Sequence, residues 1–231
     1  MKNDINNYPW QRRKRHFVRI VTVGLISFTA LVSHATDTDL SIMFLGNSIT
    51  KHAPAPAAGW TGNWGMAASA MEKDYVWQVA QQLPVKSVQT FNIAKLETAP
   101  ARAQLQESML EAARHSQLVV VQLGDNVKPQ GVSDFEPAYV RLLASAKPEQ
   151  GMLICLSTWY QRQAVDAITE RACKQAGGTY IQIGDIHSKL GYDATAQGFS
   201  DVGVRSHPGD AGMAEIAKRI AVVWKEKTKS Q

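Results

Sequence analysis

The chain is predicted to fold as one doubly wound α/β domain, a three-layer α/β/α sandwich around a mainly parallel sheet of about five strands. Short apolar blocks recur at residues 40–45, 87–93, 118–123, 152–156 and 179–183. Several are continuous rather than alternating, the pattern of strands covered on both faces. Helical stripes separate them, and neither an internal repeat nor an interdomain linker interrupts the alternation.

The elements follow in order. The first block, Leu40 to Leu45, runs into Gly46-Asn47-Ser48, as a buried strand ends in a tight turn. Residues 70–82 place Tyr75, Val76 and Val79 at helical spacing, and residues 101–115 do the same with Leu105, Met109, Leu110 and Ala113. Residues 135–146 carry Phe135, Tyr139, Leu142 and Leu143, while 162–176 carry Val165, Ile168, Ala172 and Ala176. The last helix presents Met213, Ile216, Ala217, Ile220, Val223 and Trp224 as a full apolar stripe. Residues 51–69 break the rhythm with three glycines, two prolines and two tryptophans. Long loops inside compact domains are often functional, and this one follows directly on Ser48. Trp60 and Trp64 are therefore expected to form a substrate-facing wall suited to a carbohydrate or acyl group; the plainer expectation is that they pack onto the domain.

The 231 residues and 45% hydrophobic content suffice for one core. The formal charge of +5 suggests a nucleic-acid binder until it is located. Six of the 25 basic residues and one of the 20 acidic ones precede residue 36, leaving 19 of each in the remainder. The net charge thus belongs to the leader, and nucleic acid is not an expected partner. That leader, residues 1–35, reads as an export signal: Arg12-Arg13-Lys14-Arg15, an apolar run from Val21 to Val32, and Ser33-His34-Ala35 before a cut. The rival reading is an uncleaved anchor, which would supply the only membrane contact. Either way residues 36–231 form the folded domain outside the cytoplasm, periplasmic or secreted. Cys155 and Cys173 read as small buried side chains, and an oxidising compartment permits them to pair.

Three segments carry chemistry. Ser48 follows the first strand; Gly124-Asp125-Asn126 ends another buried strand and brings an amide donor; Ser206-His207-Pro208 opens the last helix. Open α/β sheets build sites at the C-terminal ends of their strands, so a hydroxyl, an amide and an imidazole meet on one rim. That is a minimal acyl-transfer site.

In this order, Gly46-Asn47-Ser48, Gly124-Asp125-Asn126 and His207-Pro208 resemble the SGNH hydrolases, also called GDSL esterases and lipases. The resemblance covers nearly the whole mature chain, with Asn47 where the family has Asp. It implies a flavodoxin-like sandwich, Ser48 as nucleophile, His207 as base and the Asn126 side chain as an oxyanion donor. A second donor is expected from the backbone N–H of Ala94, which stands where the family has Gly. The family's orienting Asp falls on Val204 here, so Asp201, Asp210 or a backbone carbonyl is expected to orient His207. Glu97, on the same rim, is a candidate substrate contact. The implied reaction needs no metal or organic cofactor, and His52, His115, His187 and His207 show no close ligand spacing. The favoured function is removal of a small acyl group, O-acetyl first, from an envelope or extracellular carbohydrate. An O-acyltransferase on the same site, a lipid esterase, and a catalytically silent glycan-binding protein are the alternatives.

Overall fold

Alternate side chains of a strand face opposite sides of its sheet, and here both sides are apolar. The computed structural model of the protein describes residues 40–229; the predicted leader lies outside them. The elements run β1 (Leu40–Gly46), α1 (Tyr75–Gln82), β2 (Val85–Asn92), α2 (Lys95–Thr98), α3 (Glu107–Arg114), β3 (Leu118–Gln122), α4 (Val132–Ala146), β4 (Met152–Leu156), α5 (Gln163–Gln175), β5 (Thr179–Ile181), α6 (Gly184–His187), α7 (Val202–Arg205) and α8 (Asp210–Lys229). The five strands are all parallel, in the order β2-β1-β3-β4-β5. Every residue of β3 is buried, whereas the edge strand β2, with Lys86, Ser87 and Gln89, is mostly half-exposed.

Ile42, Phe44, Leu118, Val120, Ile154 and Leu156 meet α1 and α8 on one face. Met43, Leu45, Val119, Val121, Leu153 and Cys155 meet α3, α4 and α5 on the other. This is the expected three-layer sandwich. The predicted elements are all present, with the first two helices shorter than their apolar stripes suggested. Residues 71–73 form a separate 3-10 turn, and Asp74 then caps α1 by accepting from the Val76 N–H. The buried Asp74 carboxyl also accepts from Gly65 (3.0 Å), fastening the long loop to the core. Helix α3 starts only at Glu107, after a 3-10 turn at Pro100–Arg102.

The strand order decides what the rim can assemble. Because β1 lies between β2 and β3, the segment after β1 is flanked by the segments after β2 and β3. The break in winding direction falls at β1 and β3, where crevices form outside the carboxyl ends of the strands.

Cys155 on β4 and Cys173 on α5 are fully buried and form a disulfide that closes a sequence separation of 18 residues. A loop of that length gives about 3 kcal/mol of stabilisation through the unfolded state. Reduction should therefore lower unfolding stability by roughly that amount in a denaturant titration. A Cys155→Ala/Cys173→Ala variant should show no response to reductant; an unchanged midpoint for the reduced native chain would contradict this role.

Candidate active site

The turn after β1 presents the half-buried Ser48 through a constraint on Gly46. A Cβ there would meet Thr50 Oγ1 at 2.0 Å and the Gln122 carbonyl at 2.8 Å, so only glycine lets the chain turn so tightly. Asn47 then bonds its Oδ1 to the Ile49 N–H (2.9 Å), and its carbonyl accepts from Thr50 and Lys51. Ser48 sits at the start of this helical turn, its carbonyl held by the Met66 N–H (2.8 Å). The Ser48 N–H has no acceptor among the described residues.

Ser48 Oγ lies 2.8 Å from His207 Nε2. The other ring nitrogen, Nδ1, lies 2.7 Å from the Gly203 carbonyl, which can only accept. That bond places the proton on Nδ1 and leaves Nε2 as the acceptor for the serine hydroxyl. The His207 pKa is lowered, first by burial and then by the neighbouring His52, with the Gly203 bond opposing. Burial thus favours the neutral ring, the form a general base requires.

Of the expected orienters, the backbone carbonyl is the one bonded to the ring; neither carboxylate is, although the charge of Asp201 acts on it and raises its pKa. Asp201 caps α7 by accepting from the Val204 N–H (2.9 Å). Asp210 accepts from the Ser69 N–H (2.8 Å) and hydroxyl (2.6 Å), closing the long loop onto the start of α8. Asp201 thus shapes the turn that carries the Gly203 carbonyl, and that carbonyl holds the imidazole. Any residue type offers a carbonyl, so no sequence signal could have singled out Gly203.

Asn126 and Glu97 arrive from the two sides of β1. The exposed Asn126 gives its Nδ2 to Glu97 Oε2 (2.6 Å). Glu97 is 2% exposed, and its Oε1 accepts from the Gly124 N–H and from Asn47 Nδ2 (3.1 Å). Its two oxygens are engaged by three internal donors, so Glu97 borders the cleft beside Asn126 with its hydrogen bonds already made within the protein. Gly124 is itself required, with φ of 123° and a Cβ position 2.6 Å from Val165 Cγ1.

The same Asn47 Nδ2 also donates to Asp125 Oδ2 (3.2 Å). Asp125 further accepts from Gln122 Nε2 (2.7 Å) and from the backbone N–H groups of Trp159 (2.8 Å) and Tyr160 (3.2 Å). Burial pushes the pKa of both Glu97 and Asp125 up, and the donors around each pull it back only in part. Asn47 therefore lies between two buried carboxyls. These partners were not foreseen, since Asp125 reads in sequence as a turn residue.

Ala94 is also corrected. Its N–H donates to Asn92 Oδ1 (3.0 Å) and is not free for an oxyanion. The tryptophans depart from the expected wall. Trp60 is 2% exposed, packs on Trp64, Phe199 and Val204, and donates to the His52 carbonyl. Trp64 is half-buried and gives its N–H to the Ala68 carbonyl (3.0 Å). Their packing stiffens the loop against α7, which carries Gly203. A brace from the other side joins Trp159 Nε1 to the Ser206 carbonyl (2.9 Å) and the Tyr160 hydroxyl to Ser206 Oγ (3.1 Å).

A cleft of about 540 Å³ borders Asn126 and Glu97, lined by Thr98, Pro100, Arg102 and Lys128 among others. No group of three or more His, Cys, Asp or Glu among the described residues is arranged to hold a metal ion.

Neither a family model nor a curated protein sequence matches the chain. Solved structures do. The chain is similar to a protein of Bacteroides uniformis assigned as a GDSL-like lipase, with 15% identity and a TM-score of 0.54 over 83% of this chain and 96% of that one. It is similar to esterase EstA of Pseudoalteromonas sp., with 14% identity and a TM-score of 0.56 over 83% and 100%. A family two carbohydrate esterase of Clostridium thermocellum, solved with cellohexaose, gives 16% identity and a TM-score of 0.53 over 83% of this chain and 65% of that one. With a parallel five-stranded sheet in the order 2-1-3-4-5 between two helical layers, the chain has the fold of the SGNH hydrolases.

Proposed function

We propose that the chain is a serine esterase that removes a small acyl group, O-acetyl first, from a carbohydrate outside the cytoplasm. The observation that carries this reading is the 2.8 Å approach of Ser48 Oγ to a His207 ring whose Nδ1 is tied to the Gly203 carbonyl. A nucleophile, a base in the correct tautomer and an amide donor stand at one sheet edge, the constellation that acyl transfer needs. The fold shared with esterases, one of them a carbohydrate esterase, supports the reaction class and the substrate. The export-like leader supports the location.

In the first step His207 Nε2 takes the hydroxyl proton as Ser48 Oγ attacks the ester carbonyl. The oxyanion receives the Ser48 N–H and the Asn126 amide. His207 returns its proton to the leaving alcohol, and the acyl group stays on Ser48. Water, deprotonated by the same imidazole, then releases the acid. The Gly203 carbonyl fixes the tautomer and accepts from the imidazolium that forms, without supplying the full negative charge of a carboxylate.

Turnover of p-nitrophenyl acetate should fall at least about 10³-fold in Ser48→Ala; equal rates in the two forms would sink the reading. Acetate release from an acetylated polysaccharide should exceed fatty-acid release from long-chain esters, and the reverse preference would contradict the substrate class. The acid limb of kcat/KM should have its midpoint below the ordinary histidine value of 6.5, because burial favours the neutral ring that acts as base. A midpoint above 6.5 would contradict that assignment. Asp201→Asn keeps an N-cap acceptor and should retain kcat within about threefold; a collapse in rate would mean that the carboxylate charge itself supports His207.

A further inference from the structure

Asn126 is exposed and ends a Gly-Asp-Asn turn, a setting in which a primary amide is free to flip. The flip matters chemically, because the amide N and O are nearly equal in size and opposite in polarity. One orientation offers an oxyanion a donor; the other offers it a lone pair.

We propose that Glu97 is a positioning residue that holds the Asn126 amide in its donor orientation. This inference rests on the esterase reading. Glu97 Oε2 accepts one Nδ2 hydrogen of Asn126, which leaves the second, without an acceptor among the described residues, to face a developing oxyanion. A carboxylate can only accept, so it selects nitrogen over oxygen on the facing amide. Glu97 cannot drift to suit its partner. Its Oε1 is held by the Gly124 N–H and by Asn47 Nδ2, and the side chain is buried at the start of the segment after β2. One carboxylate thus spans the turn, gripping the backbone at 124 and the side chain at 126. The same Asn47 that fastens Glu97 immediately precedes Ser48, so donor and nucleophile share one anchor.

A glutamine at position 97 has the right shape and the wrong polarity. Its oxygen can serve Gly124 and Asn47, but its Nε2 then faces Asn126 and favours the flipped amide. For the full-length chain with p-nitrophenyl acetate, Glu97→Gln should lower kcat about 10²-fold while KM stays within about twofold, the pattern of a lost oxyanion donor. In an Asn126→Ala background the same change should cost less than about threefold, since there is no amide left to orient. Wild-type kcat in Glu97→Gln, or an equal loss in both backgrounds, overturns the inference while Ser48-dependent turnover by the wild type leaves the esterase reading standing. Absence of Ser48-dependent turnover in the wild type overturns both. If Glu97→Gln does not fold, the wild type answers by NMR. One of the two Asn126 Nδ2 protons is expected downfield of the range of exposed amides and slow to exchange with solvent, and a pair in which both protons shift and exchange like those of exposed asparagines overturns the inference.

Discussion

The rim of this protein depends on one shared amide. Asn47 Nδ2 donates both to Glu97 and to Asp125, and these two carboxyls are buried on either side of the turn that ends in Ser48. The strand order makes this unavoidable: the turn after β1 is flanked by the segments that leave β2 and β3. A buried carboxyl must be hydrogen-bonded or neutralised. Asn47 can satisfy two of them because it carries a donor where an aspartate would carry a third acceptor. An ionised Asp in its place would meet repulsion on the order of a few kcal/mol per neighbour at an effective dielectric of about 20. Asn47 suits this place because its amide gives a hydrogen to each of the two buried carboxyls.

From that anchor the site is assembled by backbone as much as by side chains. Gly203 orients His207 through a carbonyl, and Asp201 shapes the turn that presents it. Trp60 packs behind this turn through Val204, while Trp159 and Tyr160 brace Ser206 from the other side and are themselves fixed to Asp125. His207 and Asn126 are therefore two ends of one connected network. The long loop after Ser48, rich in features that suggest a binding wall, serves chiefly to pack and fasten this network.

Much of this was legible in the order of residues. Val119-Val120-Val121 admits little but a central strand, and the stripe from Met213 to Trp224 little but a packed helix. Ser48, Asn126 and His207 could be placed on one edge because parallel α/β sheets put their strand ends there. What could not be read were interactions that any residue could make, such as the Gly203 carbonyl, or that depend on which strands are neighbours, such as the meeting of Asn47 with Glu97 and Asp125. Ala94 illustrates a third kind of miss: Asn92, two residues earlier, captures its N–H in a local turn. Trp60 and Trp64 are a fourth, since an indole beside a site looks the same in sequence whether it faces a ligand or a core.

Covalent capture of Ser48 tests the proposed Ser48–His207 pairing most directly. A fluorophosphonate probe, followed by peptide mass spectrometry, should leave a single adduct on Ser48, and His207→Ala should slow its formation by orders of magnitude. Labelling at another residue, or an adduct on Ser48 that forms as fast without the imidazole, would contradict it.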